Sequence, residues 1–304
     1  MKTRIASPAP AVFSLRAPAK INWFLRISGK RADGYHTIES LIQCVSLYDF
    51  LHFERSRGIE VICDHKIPVT ENLVYQAASL LREQTACRKG VRITVRKHIP
   101  IGAGLGGGSS DAAYTLMGLN TLWDLNLSLD ELRALAVRIG SDVPFFFDGP
   151  SALVQGRGEK INPVPLAVPL ELLLVKPALS VSTAWAYNAF DRQRGHGRIR
   201  GDAPDFGREL KKKVLDIKLF CQALNQQDFA TLTKMLDNDL ESVVSGQYPV
   251  IKEIQARLLD EGAAVSAMSG SGPAVFGVFL SREAAVKAAS AMKPDWCRIV
   301  ETLI

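Results

Sequence analysis

The chain carries a dense glycine-rich stretch at residues 100–110, and five of its residues within 102–108 are glycines. Glycine has no Cβ, so its backbone can take positive φ angles and approach a ligand closely. Apolar residues at helical spacing from Ala112 to Trp123 predict a helix directly after the loop, with Ser109 and Ser110 as N-cap residues. Free N–H groups at a helix N-terminus attract anions, so this stretch predicts a phosphate site rather than a flexible surface loop. The loop residues are Pro100, Ile101, Gly102, Ala103, Gly104, Leu105, Gly106, Gly107, Gly108, Ser109 and Ser110.

Two polar residues lie close together on a predicted strand near the N-terminus. The alternation of apolar residues between 17 and 27 is typical of a half-buried strand. Because side chains alternate between the two faces of a strand, Lys20 and Asn22 are expected on the same face.

Asp142 and His36 are candidates whose function the pattern alone leaves open. Asp142 follows a predicted helix and precedes an apolar run, 143–147, so its carboxylate is either a simple turn former or lies at the edge of a buried pocket. His36 follows Tyr35 after the Asp33-Gly34 turn signal, and a single histidine there is either structural or functional.

Two common phosphate-binding motifs do not fit the glycine stretch. A dinucleotide-binding loop follows a fully buried apolar strand, whereas the strand predicted at 91–95 alternates with arginine and threonine. A Walker A loop ends in Gly-Lys-Ser/Thr, which this sequence lacks.

Predicted helices and strands give the chain an α+β pattern in two domains. The second half is predicted as β, α, α, β, β, α, β. Spaced prolines near residue 160 predict a boundary, dividing the chain into domains 1–160 and 161–304. Residues 191–209 contain few core-forming side chains and are predicted to form a mobile loop.

Composition limits the protein to a globular class. The 304 residues are 47% hydrophobic, with a net charge of +6 that favours acidic partners without identifying them. Five scattered cysteines indicate neither a disulfide framework nor a zinc site. No signal peptide or membrane span is predicted, and a cytoplasmic location is expected.

Three blocks resemble the signatures of the GHMP kinases, a family that includes galactokinase and the homoserine, mevalonate and phosphomevalonate kinases. These blocks are residues 17–22, 100–110 and 268–273, and they match the family in order and separation. The resemblance implies a ribosomal-protein-like N-terminal domain and a ferredoxin-like C-terminal domain, with the active site in the cleft between them. The third block would close that cleft, or alternatively be a tight hairpin only.

Two further blocks, residues 30–37 and 140–145, resemble the family members that act on cytidine diphosphate-linked methylerythritol in the non-mevalonate isoprenoid pathway. The resemblance implies a cytoplasmic transferase that phosphorylates the 2-hydroxyl of that substrate with ATP and Mg²⁺. Another alcohol, such as mevalonate or homoserine, is the alternative substrate. A non-catalytic nucleic-acid-binding protein is the other alternative, prompted by the basic charge.

The resemblance also implies roles for individual residues. Asp142 would be the general base and Lys20 its electrostatic partner, while residues 100–110 would bind the ATP phosphates. Ser110, which cannot be separated from Ser109, would contact phosphate or metal, and the metal ligands stay unassigned. The implied partners are ATP and the small-molecule substrate, with no nucleic acid or membrane, for a monomer or homodimer. The implied substrate-binding residues are Asn22, Tyr35, His36, Lys97, Thr183 and Tyr187.

Overall fold

A computed structural model describes residues 12–196, 216–293 and 295–304 of the chain. Contacts between Cα atoms divide these residues into two compact units, and each unit is built from separate stretches of the chain. The first unit contains residues 12–18, 47–99 and 107–147; the second contains 19–46, 100–106 and the described residues from 148 to 304. The division at residue 160, which falls at the start of a strand, stays a prediction.

Two long strands each contribute residues to both units. They are β1, Val12–Lys30, and β2, His36–Ser56, and they pair with each other. In the first unit the C-terminal part of β2 pairs antiparallel with β4, Gly90–Arg96, which in turn pairs parallel with β3, Ile59–Cys63.

Three helices of the first unit pack against one another: α1, Leu73–Gln84; α2, Gly107–Trp123; and α3, Leu129–Ile139. A short 3₁₀ turn, Pro144–Phe147, follows α3 and is buried throughout. A capping box begins α3, since the side chains of Ser128 and Glu131 each accept from the other's backbone N–H.

The start of α2 differs from the prediction. The helix begins at Gly107, so Ser109 and Ser110 lie within its first turn and are not its N-cap. A Cβ on Gly107 would lie 2.8 Å from Ile99 Cγ2, so packing requires glycine at that position. The sequence pattern missed this because serine is a good N-cap residue in general, whereas the space beside Gly107 is set by a distant strand end.

The second unit contains antiparallel strand pairs. The N-terminal part of β2 pairs with β5, Ser151–Gly156, which pairs with β6, Lys160–Pro163. A four-stranded antiparallel sheet has the order β10-β7-β9-β8. Its strands are β7, Glu171–Lys176; β8, Val265–Met268; β9, Val275–Phe279; and β10, Trp296–Glu301.

Six helices belong to the described part of the second unit. Four of them, which contain Ala186, Val244, Ile254 and Ala285, share one buried core with the four-stranded sheet. Ser182 caps α4, because its hydroxyl accepts from Trp185 N. The mobile loop predicted at 191–209 begins inside α4, and its part from residue 197 onward lies outside the described residues. The helices are α4, Thr183–His196; α5, Ile217–Gln226; α6, Phe229–Met235; α7, Glu241–Gln247; α8, Val250–Asp260; and α9, Arg282–Ala291.

Across the described residues, none of the helices has both the length and the apolar character that a bilayer crossing needs.

Candidate active site

Lys20 lies on β1 with its ammonium almost completely buried, and the residue is only 3% exposed. Its Nζ donates to Asn22 Oδ1 at 2.5 Å and to the carbonyl oxygen of Gly104 at 2.8 Å. Burying a charged ammonium is costly unless such acceptors replace water. The backbone N–H of Lys20 also bonds to Leu105 O at 3.0 Å, so the strand and the glycine stretch are joined at two points.

The Asn22 side chain is fixed at both ends. Its amide nitrogen donates to Ser40 Oγ at 2.8 Å, and Ser40 in turn donates to Phe24 O at 2.6 Å. This network leaves the Asn22 oxygen to accept from Lys20. Asn22 therefore orients the ammonium, and Ser40 orients Asn22. No sequence motif had selected Ser40.

The third glycine block approaches the same two side chains. It forms the tight turn of the hairpin between β8 and β9, in which Gly272 N donates to Ser269 O at 2.9 Å, and its role in closing the active site stays a prediction. Gly270 has φ +58°, and a Cβ there would lie 3.0 Å from Asn22 Oδ1 and 3.1 Å from Lys20 Nζ. Only glycine allows this approach of backbone to the Lys20 ammonium.

The two glycine stretches also contact each other. A Cβ on Gly104, whose φ is +78°, would lie 2.3 Å from Ser269 O. The Ser269 hydroxyl donates to Gly104 O at 3.1 Å. Asn238 holds the hairpin from behind, because its amide donates to the carbonyls of Met268 and Gly270, each at 2.9 Å.

The helix that follows the glycine stretch offers a polar first turn. Residues Gly102, Gly104 and Gly106 all have positive φ angles, as the predicted loop required. Among the described residues the hydroxyl of Ser110 is buried and has no hydrogen-bond partner. Such an orphaned group is costly and points to a missing partner.

Lys97 forms a buried ion cluster with two aspartates of the first unit. Its Nζ contacts Asp49 Oδ2 and lies 2.6 Å from Asp111 Oδ2, and all three side chains are at most 4% exposed. Asp49 Oδ1 also accepts from the backbone N–H groups of His98 and Ile99. That Lys97 contacts substrate stays a prediction, and in the structure its ammonium lies between carboxylates.

The protonation of Asp111 depends on its burial and on the two charges beside it. Burial raises the pKa of Asp111 to about 7; the Lys97 charge opposes this rise and the Asp49 charge adds to it. Burial would lower the pKa of Lys97, but the adjacent carboxylates outweigh it and raise that pKa. Asp111 therefore joins the start of α2 to this ion cluster.

Asp142 lies half-buried in the turn between α3 and the 3₁₀ turn. The apolar run that follows it, from Val143 to Phe147, is buried as its composition predicted. Its role as general base stays a prediction.

A cluster of polar and aromatic side chains surrounds His36 in the second unit. The imidazole stacks on the ring of Tyr187, with centroids 4.9 Å apart and an interplanar angle of 27°. Its Nε2 lies 2.7 Å from Asp191 Oδ1, and Lys30 Nζ lies 2.7 Å from the other oxygen of Asp191. The structure therefore brings together two predicted substrate residues and adds Asp191, which sequence analysis did not select.

Tyr35 and Thr183 are close in sequence to His36 and Tyr187, but each makes its own contacts. The Tyr35 side chain is exposed, and Arg157 lies over its ring at 4.9 Å. Thr183 begins α4, and its hydroxyl is 2.9 Å from that of Ser271 in the third glycine block. Their substrate contacts stay predictions.

Among the described residues, one group of cysteine, histidine and acidic side chains is close enough together to be considered as a metal site. Cys63, Asp64 and His65 form a group with ligand atoms close enough for an ion, but Asp64 already accepts from His65 and from Lys97 N.

Comparison with known proteins gives consistent matches. The profile described as "GHMP kinases N terminal domain" matches residues 72–150, and "GHMP kinases C terminal" matches residues 220–298. A 4-diphosphocytidyl-2-C-methyl-D-erythritol kinase from Thermodesulfovibrio yellowstonii is 42% identical over 96% of this chain and 99% of its own length.

Solved structures match over similar lengths. A crystal structure of 4-(cytidine 5'-diphospho)-2C-methyl-D-erythritol kinase has a TM-score of 0.76 at 34% identity, covering 95% of this chain and 99% of that one. A homoserine kinase from Cytophaga hutchinsonii has a TM-score of 0.74 at 20% identity, covering 98% of this chain and 96% of that one, which shows a shared fold alone.

Proposed function

This chain belongs to the GHMP kinase family, and we propose that it phosphorylates the 2-hydroxyl of 4-diphosphocytidyl-2-C-methyl-D-erythritol with ATP, giving the 2-phosphate and ADP. The observation that carries this proposal is the 42% identity, over 96% of the chain, to a kinase named for that substrate. The predicted two-domain α+β fold and the identification as an ATP-dependent kinase are confirmed by the family matches. The reaction belongs to the non-mevalonate isoprenoid pathway. Neither alternative, another acceptor alcohol or a nucleic-acid-binding protein, is favoured by these relatives.

Phosphoryl transfer to an alcohol needs a base and positive charge near the transferred group. Asp142 accepts the proton of the 2-hydroxyl as its oxygen bonds to the γ-phosphorus and the bond to the β-phosphate oxygen breaks. Lys20 stabilises the negative charge on the transferring group. Its hydrogen bonds to Asn22 Oδ1 and Gly104 O support this role, because they hold the ammonium in a defined position before the reaction begins.

Residues 100–110 bind the ATP phosphates. The positive φ angles of the loop glycines and the start of α2 at Gly107 support this, since backbone N–H groups and the positive end of the helix dipole favour anions. The orphaned Ser110 hydroxyl is suited to donate to a phosphate oxygen.

Mg²⁺ is the implied metal, and it neutralises charge on the β- and γ-phosphate oxygens when bound. It commonly keeps water and phosphate ligands with few protein oxygens. The buried carboxylates Asp49 and Asp111 already share the Lys97 ammonium, so they do not fit as its obvious ligands. The protein ligands of Mg²⁺ are therefore left unassigned.

The cytidine end of the substrate is recognised by Tyr35, His36 and Tyr187. The stacked pair of His36 and Tyr187 supports this assignment. An aromatic ring can stack on a nucleobase, and an imidazole nitrogen can form a hydrogen bond with the edge of the base. Asn22, Lys97 and Thr183 contact other parts of the substrate. The enzyme works in the cytoplasm as a monomer or homodimer and binds neither nucleic acid nor membrane.

Substrate-dependent ADP release tests the proposal. Purified protein is supplied with ATP, Mg²⁺ and, in turn, diphosphocytidyl-methylerythritol, mevalonate, homoserine and galactose. ADP release with the first alone is expected. Turnover of mevalonate or homoserine instead would refute the substrate, and no turnover of any alcohol would refute the kinase activity.

A further inference from the structure

Asp191 contacts the proposed base-recognition residue directly. Its Oδ1 lies 2.7 Å from His36 Nε2, and its Oδ2 lies 2.7 Å from Lys30 Nζ. The His36 side chain is 8% exposed, whereas that of Asp191 is 28% exposed. The imidazole is thus nearly buried, and its carboxylate partner is partly exposed.

The protonation of this pair follows from the carboxylate. Burial would raise the pKa of Asp191, but hydrogen bonds from Lys30 and His36 outweigh it and lower that pKa. Asp191 is therefore ionised at neutral pH and can only accept hydrogen bonds. His36 Nε2 must carry the proton in this contact, and Nδ1 is then the nitrogen that can accept a hydrogen bond in the Nε2–H tautomer.

The contact with Asp191 opposes a flip of the imidazole ring that would swap the positions of its two nitrogens. One face stacks on Tyr187 at 4.9 Å, and rotation of the ring by half a turn about Cβ–Cγ would keep this stacking but break the Nε2 contact with Asp191. The Lys30 and Asp191 ion pair alone would be sufficient to join β1 and α4. The additional contact of Asp191 with His36 instead determines which imidazole nitrogen carries the proton.

We propose that Asp191 is a positioning residue for base selectivity, which holds His36 in the Nε2–H tautomer so that Nδ1 accepts from the exocyclic amino group of cytosine. This inference rests on the proposed function. Uracil carries a carbonyl oxygen where cytosine carries that amino group, so an acceptor nitrogen would face an acceptor oxygen. A site built to accept one hydrogen bond discriminates strongly against an analogue that lacks the donor.

The first experiment reads the tautomer without any substrate. In ¹⁵N-labelled protein, long-range imidazole correlations distinguish a protonated ring nitrogen from an unprotonated one, and His36→Gln identifies the His36 signals among the five histidines. The wild type is expected to show protonated Nε2, and Asp191→Asn is expected to give a mixture of tautomers. A wild-type ring protonated on Nδ1 alone would overturn the inference.

The second experiment reads selectivity with diphosphocytidyl- and diphosphouridyl-methylerythritol. For Asp191→Asn, the ratio of the two kcat/KM values is expected to fall about tenfold or more, mainly through KM for the cytidine substrate. The value of kcat with saturating cytidine substrate should change little. Asp260→Asn, which removes an exposed carboxylate at the end of α8, is the matched control and should leave the ratio unchanged.

The outcomes separate this inference from the proposed function. If the wild type turns over no diphosphocytidyl-methylerythritol, the proposed function fails, while the tautomer result still stands or falls by itself. If the wild type is active and Asp191→Asn keeps both the tautomer and the selectivity ratio, the inference about Asp191 is wrong. Recovery of selectivity in Asp191→Glu, which restores a carboxylate, would support it.

Discussion

Replacing Asp111 with asparagine should change how the stability of the protein depends on pH. Asp111 is 3% exposed, and burial raises the pKa of its carboxyl from 3.8 to about 7. Between these values the folded state binds more protons than the unfolded state, so the free energy of unfolding of the wild type falls as pH rises through this window. An asparagine amide cannot ionise, so Asp111→Asn lacks this loss.

The magnitude follows from the shift. A pKa difference of about 3 units at ~1.4 kcal/mol per unit gives a loss of at most about 4 kcal/mol from below pH 4 to above pH 7. The asparagine NH₂ can imitate the protonated carboxyl as a donor to Asp49 and leave Lys97 with one carboxylate. The free energy of unfolding of the variant, relative to that of the wild type, should therefore increase as pH rises, by up to ~1.4 kcal/mol per pH unit.

Urea unfolding followed by circular dichroism, repeated in half-unit steps between about pH 5 and pH 8, measures this difference. Asp260→Asn is again the control, and its curve should run parallel to that of the wild type because the residue is exposed. Parallel curves for Asp111→Asn and wild type would refute the raised pKa and the account of the cluster built on it.

Three further variants test single contacts. Asp142→Asn should lower kcat by orders of magnitude with ATP affinity nearly unchanged, and steady-state kinetics with a near-normal kcat would remove Asp142 as the base. His36→Ala should raise KM for the cytidine substrate far more than it lowers kcat, and an unchanged KM would refute its role in recognition. Gly104→Ala should lower the melting temperature and kcat, because its Cβ would lie 2.3 Å from Ser269 O. Gly34→Ala is its control, since Gly34 also has positive φ but open space around it, so an equal loss in both variants would show that backbone strain alone is responsible.

Local patterns in the sequence predicted much of the fold and part of the site. Strand alternation was sufficient to place Lys20 and Asn22 on one face, and the distance between their side chains confirms it. The density of glycines predicted a backbone with positive φ angles, and Gly102 and Gly104 have them. These features depend on residues close together in the chain, which is why a single sequence reveals them.

Contacts between distant residues were not predictable in the same way. Asp191 reaches His36 across 155 positions, and Asp49 reaches Lys97 across 48. Neither aspartate has a neighbouring motif that would select it. Asp49 lies among the apolar residues of β2, and a buried carboxylate of that kind requires a partner.

The proposed reaction is tested most directly by the identity of its product. Protein incubated with ATP, Mg²⁺ and diphosphocytidyl-methylerythritol is analysed by ³¹P nuclear magnetic resonance and mass spectrometry. We expect one new phosphomonoester on the 2-hydroxyl for every ADP formed, and none with Asp142→Asn over the same time. A phosphate on another hydroxyl, or ADP formed without a phosphorylated product, would contradict the account.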